Sequence, residues 1–192
     1  MPRMTSDAPL SLHTARGRRK YLTPSERLRF IGAATVSRPE IGTLCLVLVW
    51  TGCRITEALN LTHADLDRES GIIAIRSLKK RRPGIVREVP VPAAVMIAIE
   101  RVHGRRPPEM PLWSIARTTA WRHIKAVMQD AEVGATAASP KGLRHGFGVH
   151  AVRSGVPLNL LQRWLGHADI ATTSIYADVL GAEEREIAAR MW

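Results

Sequence analysis

Apolar residues follow two rhythms along this chain, and the switch between them outlines its architecture. Thr23-Pro24-Ser25-Glu26 offers a cap, a first-turn proline and a glutamate able to close a capping box, so a helix is predicted from Pro24. Leu28, Ile31 and Phe30 give it an apolar side. A second helix is predicted from about Pro39 to Thr51. It is apolar nearly all round over Ile41–Trp50, which places it at the centre of the core, and Gly52 breaks it. Arg54 to Leu61 reads as a short helix. The rhythm then shortens to that of strands, at Gly71–Arg76 and Val86–Val91, joined by the basic loop Lys79-Lys80-Arg81-Arg82-Pro83-Gly84. The region around Leu66 is a candidate third strand. Beyond Pro92 the helical spacing returns through Val95, Ile99 and Val102, and Arg105–Pro111 reads as a loop. Ser114 can cap a helix reaching about Ala131, and four more helices are predicted near Lys141–Ser154, Pro157–Leu165, Ile170–Ala177 and Ala182–Ala189. The expected fold class is therefore mainly α with a small antiparallel β-sheet (α+β).

Length and composition add the domain plan and a class of partner. The 192 residues, 45% hydrophobic, suit one domain with a real core. Residues 1–20 read as a basic flexible tail ending in Arg16, Arg18, Arg19 and Lys20, either disordered or ordering on a partner, with the domain occupying 21–192. A formal net charge of +11 points to a polyanion, nucleic acid ahead of an anionic membrane surface. The run Ile41–Trp50 is too short to span a bilayer. Cys45 and Cys53 read as buried free thiols without a metal-site pattern, which fits a reducing cytoplasm. No metal and no cofactor is expected.

The candidate chemistry lies in four separated places. Attack on a phosphodiester concentrates negative charge on its nonbridging oxygens, so catalysis needs cationic donors aimed there. Arg54 and Arg144 suit this, because a guanidinium binds phosphate with two parallel hydrogen bonds and stays charged, and each is placed at or near a predicted helix start. The Tyr176 phenol is a candidate nucleophile whose phosphate ester conserves the bond energy for rejoining, and Thr172, Thr173 and Ile175 lead into it on a helix that could set it at a pocket rim. His167, directly after Gly166, could donate to a phosphate oxygen or move a proton at the tyrosine. The hairpin lysines could protonate the leaving 5′ oxygen, or simply hold the phosphate backbone.

Three stretches also resemble a known family. Thr51-Gly52-Cys53-Arg54-Ile55-Thr56-Glu57-Ala58-Leu59 resembles the first signature box of the tyrosine recombinases, or phage-type integrases. Lys141-Gly142-Leu143-Arg144-His145-Gly146-Phe147 resembles the second, and Leu161-Gln162-Arg163-Trp164-Leu165-Gly166-His167 with Thr172-Thr173 and Tyr176 resembles the remainder. The resemblance implies the catalytic-domain fold of that family over about Tyr21–Ala189. It implies that Arg54 and Arg144 clamp the scissile phosphate while Tyr176 attacks, leaving a 3′-phosphotyrosyl link and a free 5′ hydroxyl. Lys79 best matches the family's hairpin lysine, with Lys80 close behind and Lys80, Arg81 and Arg82 on the DNA. Glu57 matches an acidic position that supports the active-site arginine. Lys141 stands where histidine is usual; an ammonium can donate to phosphate but cannot accept a proton while charged. His145 is assigned no chemistry.

The resemblance further implies double-stranded DNA as partner, a homo-oligomer (a tetramer) on DNA that could be monomeric in solution, and a cytoplasmic, nucleoid-associated protein of DNA integration and recombination, as in mobile elements. The family's N-terminal core-binding domain has no counterpart in the match, which leaves open a naturally short form, a fragment or an inactive relic, with 181–192 as a helix either exchanged with a neighbour or folded back. Two other readings stay open. One is a basic regulator using Leu158–Tyr176 as a helix-turn-helix, which leaves Arg54 and the lysine hairpin unexplained. The other is a type IB topoisomerase, which shares the phosphotyrosine chemistry but relaxes DNA without exchanging partners.

Overall fold

The computed structural model describes residues 11–78, 84–177 and 189. Helix α1 (Pro24–Val36) begins as its sequence dictates: the Thr23 hydroxyl accepts from the Glu26 N–H, and the Glu26 carboxylate accepts from the Thr23 N–H at 2.8 Å. Helix α2 (Pro39–Thr51) runs through the core. Leu44, Val47 and Leu48 are fully enclosed, and the helix touches α1 and the later helices Ala93–His103, Arg117–Asp130 and Pro140–Arg153. It ends at Gly52 in the left-handed conformation (φ 61°), where an added Cβ would also meet the Phe147 ring at 2.5 Å, so only glycine fits. The short helix α3 (Ile55–Leu59) follows with Arg54 as its N-terminal flank.

The sheet is antiparallel, in the order β1 (Leu66–Asp67), β2 (Ile72–Arg76), β3 (Val86–Pro90). Ile73 pairs with Val89 and Ile75 with Arg87, all four on the buried face. Helices α4 (Ala93–His103), α5 (Arg117–Asp130), α6 (Pro140–Arg153), α7 (Leu158–Leu165) and the single turn α8 (Ala171–Ser174) complete the described chain. The α+β class is as expected, and both cysteines are buried free thiols. No described helix is long and apolar enough to cross a membrane.

Three expectations are corrected. Helix α5 starts at Arg117 rather than at Ser114, whose hydroxyl instead accepts from Arg106 Nη1 at 3.1 Å. The helix predicted over 170–177 shrinks to the four residues of α8. Residues 11–20, read as the end of a flexible tail, fold onto the domain. Leu12 is buried, His13 bridges Arg19, Arg19 Nη2 meets Glu26 Oε1 at 2.5 Å, and Lys20 Nζ donates to the Ser11 carbonyl. The reason is Glu26: buried, it collects N–H bonds from Thr23 and, 108 residues on, from Gly134. Burial opposes its ionisation, but those amides and Arg19 outweigh that and hold the carboxyl down at about 2.

Candidate active site

Arg144 is the geometric centre of the candidate residues. It sits on α6, whose start is capped by the Ser139 hydroxyl accepting from the Gly142 N–H. Its buried guanidinium donates from Nη1 to the Gly52 carbonyl at 2.8 Å and from Nη2 to the Leu165 carbonyl at 2.6 Å. Gly52 lies two residues before Arg54, and Leu165 two residues before His167. One side chain therefore draws the arginine turn and the histidine turn together, using two of its five N–H groups. Burial first, then the neighbouring Arg54 charge, pull its pKa down to about 10, so it stays cationic at neutral pH.

Arg54 is held by Glu57 in two ways. Glu57 Oε2 accepts from the Arg54 backbone N–H at 2.8 Å, and Oε1 accepts from its Nη1 at 2.8 Å. About a third of the Arg54 side chain remains open to solvent. Glu57 itself is buried. Burial works against its charge, and Arg87 with the Arg54 amide overcomes that and keeps it below the usual carboxylate range.

Tyr176 is not at a rim. It is only 1% exposed, with its hydroxyl hydrogen-bonded to His145 Nδ1 at 3.1 Å. Its ring lies parallel to that of His167, centroids 6.5 Å apart, and against α6 where Gly148 leaves room: a Cβ there would come within 2.5 Å of the phenol ring. Burial pushes the phenol up to about 12, with Arg144 pulling the other way. His145 is held down to about 4 by burial and then by Lys141 and Arg144, so its imidazole is neutral at physiological pH. His167 Nδ1 is 2.9 Å from the Thr173 hydroxyl, which ties the histidine turn to α8. Lys141 is exposed on the first turn of α6.

The structure thus gathers Arg54, Glu57, Arg144, His167 and Tyr176, with Lys141 near His145. Lys79, Lys80, Arg81 and Arg82 lie outside the described residues, as does 181–192 apart from Ala189. The base of their hairpin is closed by Ser77 N–H donating to the Ile85 carbonyl, and Ser77 and Ile85 share a cleft of about 280 Å³ with His167 and Gln162. Of the expected DNA-contacting tail residues, Arg16 and Arg18 are exposed, while Arg19 and Lys20 are engaged within the fold. Two residues were missed from sequence. His145 stood in the second box without a role. Arg87 went unnoticed although strand alternation places it two positions from Val89, on the inward face.

Residues 20–183 match the model of the phage integrase family. The chain belongs to that family. It is 28% identical over 181 residues to the tyrosine recombinase XerA of Pyrococcus furiosus, a match covering 89% of this chain and 61% of that protein. A crystal structure of a XerA recombinase superposes with a TM-score of 0.74 at 28% identity, over 89% of this chain and 64% of that one. The XerH site-specific recombinase bound to its difH substrate has the same fold, with a TM-score of 0.70 at 19% identity over 94% and 59% of the two chains. This integrase-family chain spans about three fifths of the length of the curated relatives it matches.

Proposed function

We propose that the chain carries the catalytic apparatus of a site-specific DNA recombinase, cutting and rejoining strands through a 3′-phosphotyrosyl intermediate. The observation supporting this most strongly is the Arg144 guanidinium reaching the backbones of both the Arg54 and the His167 turns, with Tyr176 packed against His167.

In this reading Arg54 and the unengaged N–H groups of Arg144 take the nonbridging oxygens, spreading the charge of the pentacoordinate state. The Tyr176 oxygen bonds to phosphorus as the P–O5′ bond breaks. The phenol passes its proton to the His167 imidazole, and the leaving oxygen takes one from a hairpin lysine, Lys79 or Lys80. His167 and Lys141 donate to the phosphate. The 5′ hydroxyl of a partner strand then reverses the chemistry and frees the tyrosine. The buried phenol is unreactive where it rests, so it must leave the His145 hydrogen bond to reach a phosphate. By analogy with XerH bound to its difH substrate, the partner is double-stranded DNA, held on a basic face and recombined within a homo-oligomer, a tetramer, acting in the cytoplasm at the nucleoid.

The test uses a pool of nicked duplexes with randomised arms, in which loss of the short leaving strand traps the covalent complex. Wild-type protein forms an adduct that survives a denaturing gel, and Tyr176→Phe forms none. Equal adduct from both overturns the nucleophile assignment, and absence of any wild-type adduct overturns the reading. Sequencing the captured arms gives a site on which strand exchange is distinguished from plain relaxation.

A further inference from the structure

We propose that Arg87 is a positioning residue that couples the Arg54 turn to the His167 turn, so that a second buried guanidinium, beside that of Arg144, sets the phosphate clamp and the histidine together. This rests on the catalytic reading of Arg54 and His167 given above.

Arg87 points inward from β3 and is 4% exposed. One end of its guanidinium meets Glu57, with Nη2 at 2.5 Å from Oε2. Glu57 is the group that fixes both the backbone and the side chain of Arg54. The other edge faces the histidine turn, where Nε donates to the Trp164 carbonyl at 2.7 Å. Gly166, left-handed at φ 65°, lies directly over this side chain; a Cβ there would meet Arg87 Cδ at 3.2 Å and Nη1 at 3.3 Å. Arg144 takes the next carbonyl, Leu165. Successive carbonyls of one turn are thus held by two arginines arriving from β3 and α6.

A lone buried ion pair needs only charge and would be served by any cation. Arg87 does more than neutralise Glu57: it spans two backbone segments 77 and 30 residues away with a planar, multi-donor group. Only guanidinium has donors fixed in directions that reach a carboxylate and a carbonyl together.

Arg87→Lys separates the two roles. It keeps the compensating charge and loses the second donor edge. The expected result is a melting temperature and affinity for nonspecific duplex near wild type, with single-turnover adduct formation on the captured nicked duplex down about a hundred-fold, as displacement of a catalytic group by roughly 1 Å gives. In NMR spectra of the free chain, the Arg54 Nε–H and His167 ring signals both shift, while the His123 ring on α5 stays in place. Wild-type adduct rates in Arg87→Lys, or movement of the Arg54 signal without His167, overturn the proposal. If Arg87→Lys does not fold, Arg87→Met/Glu57→Met removes both charges together. Faster amide exchange at Gly166 and His167 than in wild type supports the coupling, and unchanged exchange overturns it. Should wild type itself form no adduct, the catalytic reading fails, whereas the spectra still decide whether Arg87 joins the two turns.

Discussion

Replacing Gly148 by alanine adds one methyl at the point where the phenol ring lies against α6. The new Cβ would sit 2.5 Å from Tyr176 Cε1 and Cζ and 2.8 Å from Cδ1. Carbon atoms rest about 3.5–4.0 Å apart, so the ring or the helix must yield by about 1 Å or more. In a packed interior such crowding costs about 1–3 kcal/mol. Against this, alanine in a helix interior is favoured over glycine by about 1 kcal/mol. Urea titrations of a double-mutant cycle separate the two. Gly148→Ala should destabilise the wild-type background by up to about 2 kcal/mol and stabilise the Tyr176→Ala background by about 1 kcal/mol, a coupling of about 1–3 kcal/mol. Because the substitution makes the stored position of the phenol less favourable, adduct formation on nicked DNA should be faster than wild type. Equal effects of Gly148→Ala in the two backgrounds would refute the placement of the ring, whatever happens to the rate.

Three further outcomes follow from other contacts. His103 donates from Nε2 to the Thr43 hydroxyl, itself committed to the Glu40 carbonyl, and its bare Nδ1 is enclosed without a partner. Burial holds its pKa down at about 4 from 6.5, so its contribution is complete above 6.5 and lost as pH falls toward 4; His103→Met should show a shallower fall in urea midpoint across that window, and parallel curves would contradict this. Glu26→Gln should cost about 2 kcal/mol at neutral pH by weakening the Thr23 cap and the Gly134 and Arg19 links, with the deficit shrinking as pH drops from 4.5 toward 2; a pH-independent deficit would contradict the charged role. DNA affinity should fall linearly in log–log plots against salt, and Arg16→Ala or Arg18→Ala should each lower the slope by about 1 if those exposed residues touch phosphates; unchanged slopes would remove them from the interface.

Much of the fold was legible because its determinants are local. The Thr23–Glu26 box, Gly52 at the end of α2 and the alternating β2–β3 pair are each written within a few residues. The failures share the opposite property. Ser114 is a good cap in isolation, yet Arg106 claims its hydroxyl. Glu26 fastens residues 11–20 through Arg19 and is itself held by Gly134, a partner far along the chain. At the site, motif order named groups that the fold brings together, Arg54, Arg144, His167 and Tyr176, but not the buried state of the phenol. Tyr176 is buried because Gly148 lacks a side chain and His145 takes the hydroxyl, contacts spanning about thirty residues. Arg87 was recoverable: Val89 and Val91 face inward, and the same parity carries inward a charged residue that needs a partner.

On the proposed function, a nucleophile kept under cover changes what an encounter with DNA can accomplish. A protein of this charge will collide with phosphates everywhere along a genome, and a phenol already on display would convert some of those collisions into breaks. Lodged between α6 and the His167 ring, the tyrosine is released only at an energetic cost, and a chance contact made through phosphates alone offers little to offset it. Under the proposed function, fidelity thereby becomes a threshold: only a sequence bound tightly enough to draw the ring out would be cut, and the rest of the chromosome would be touched and left whole.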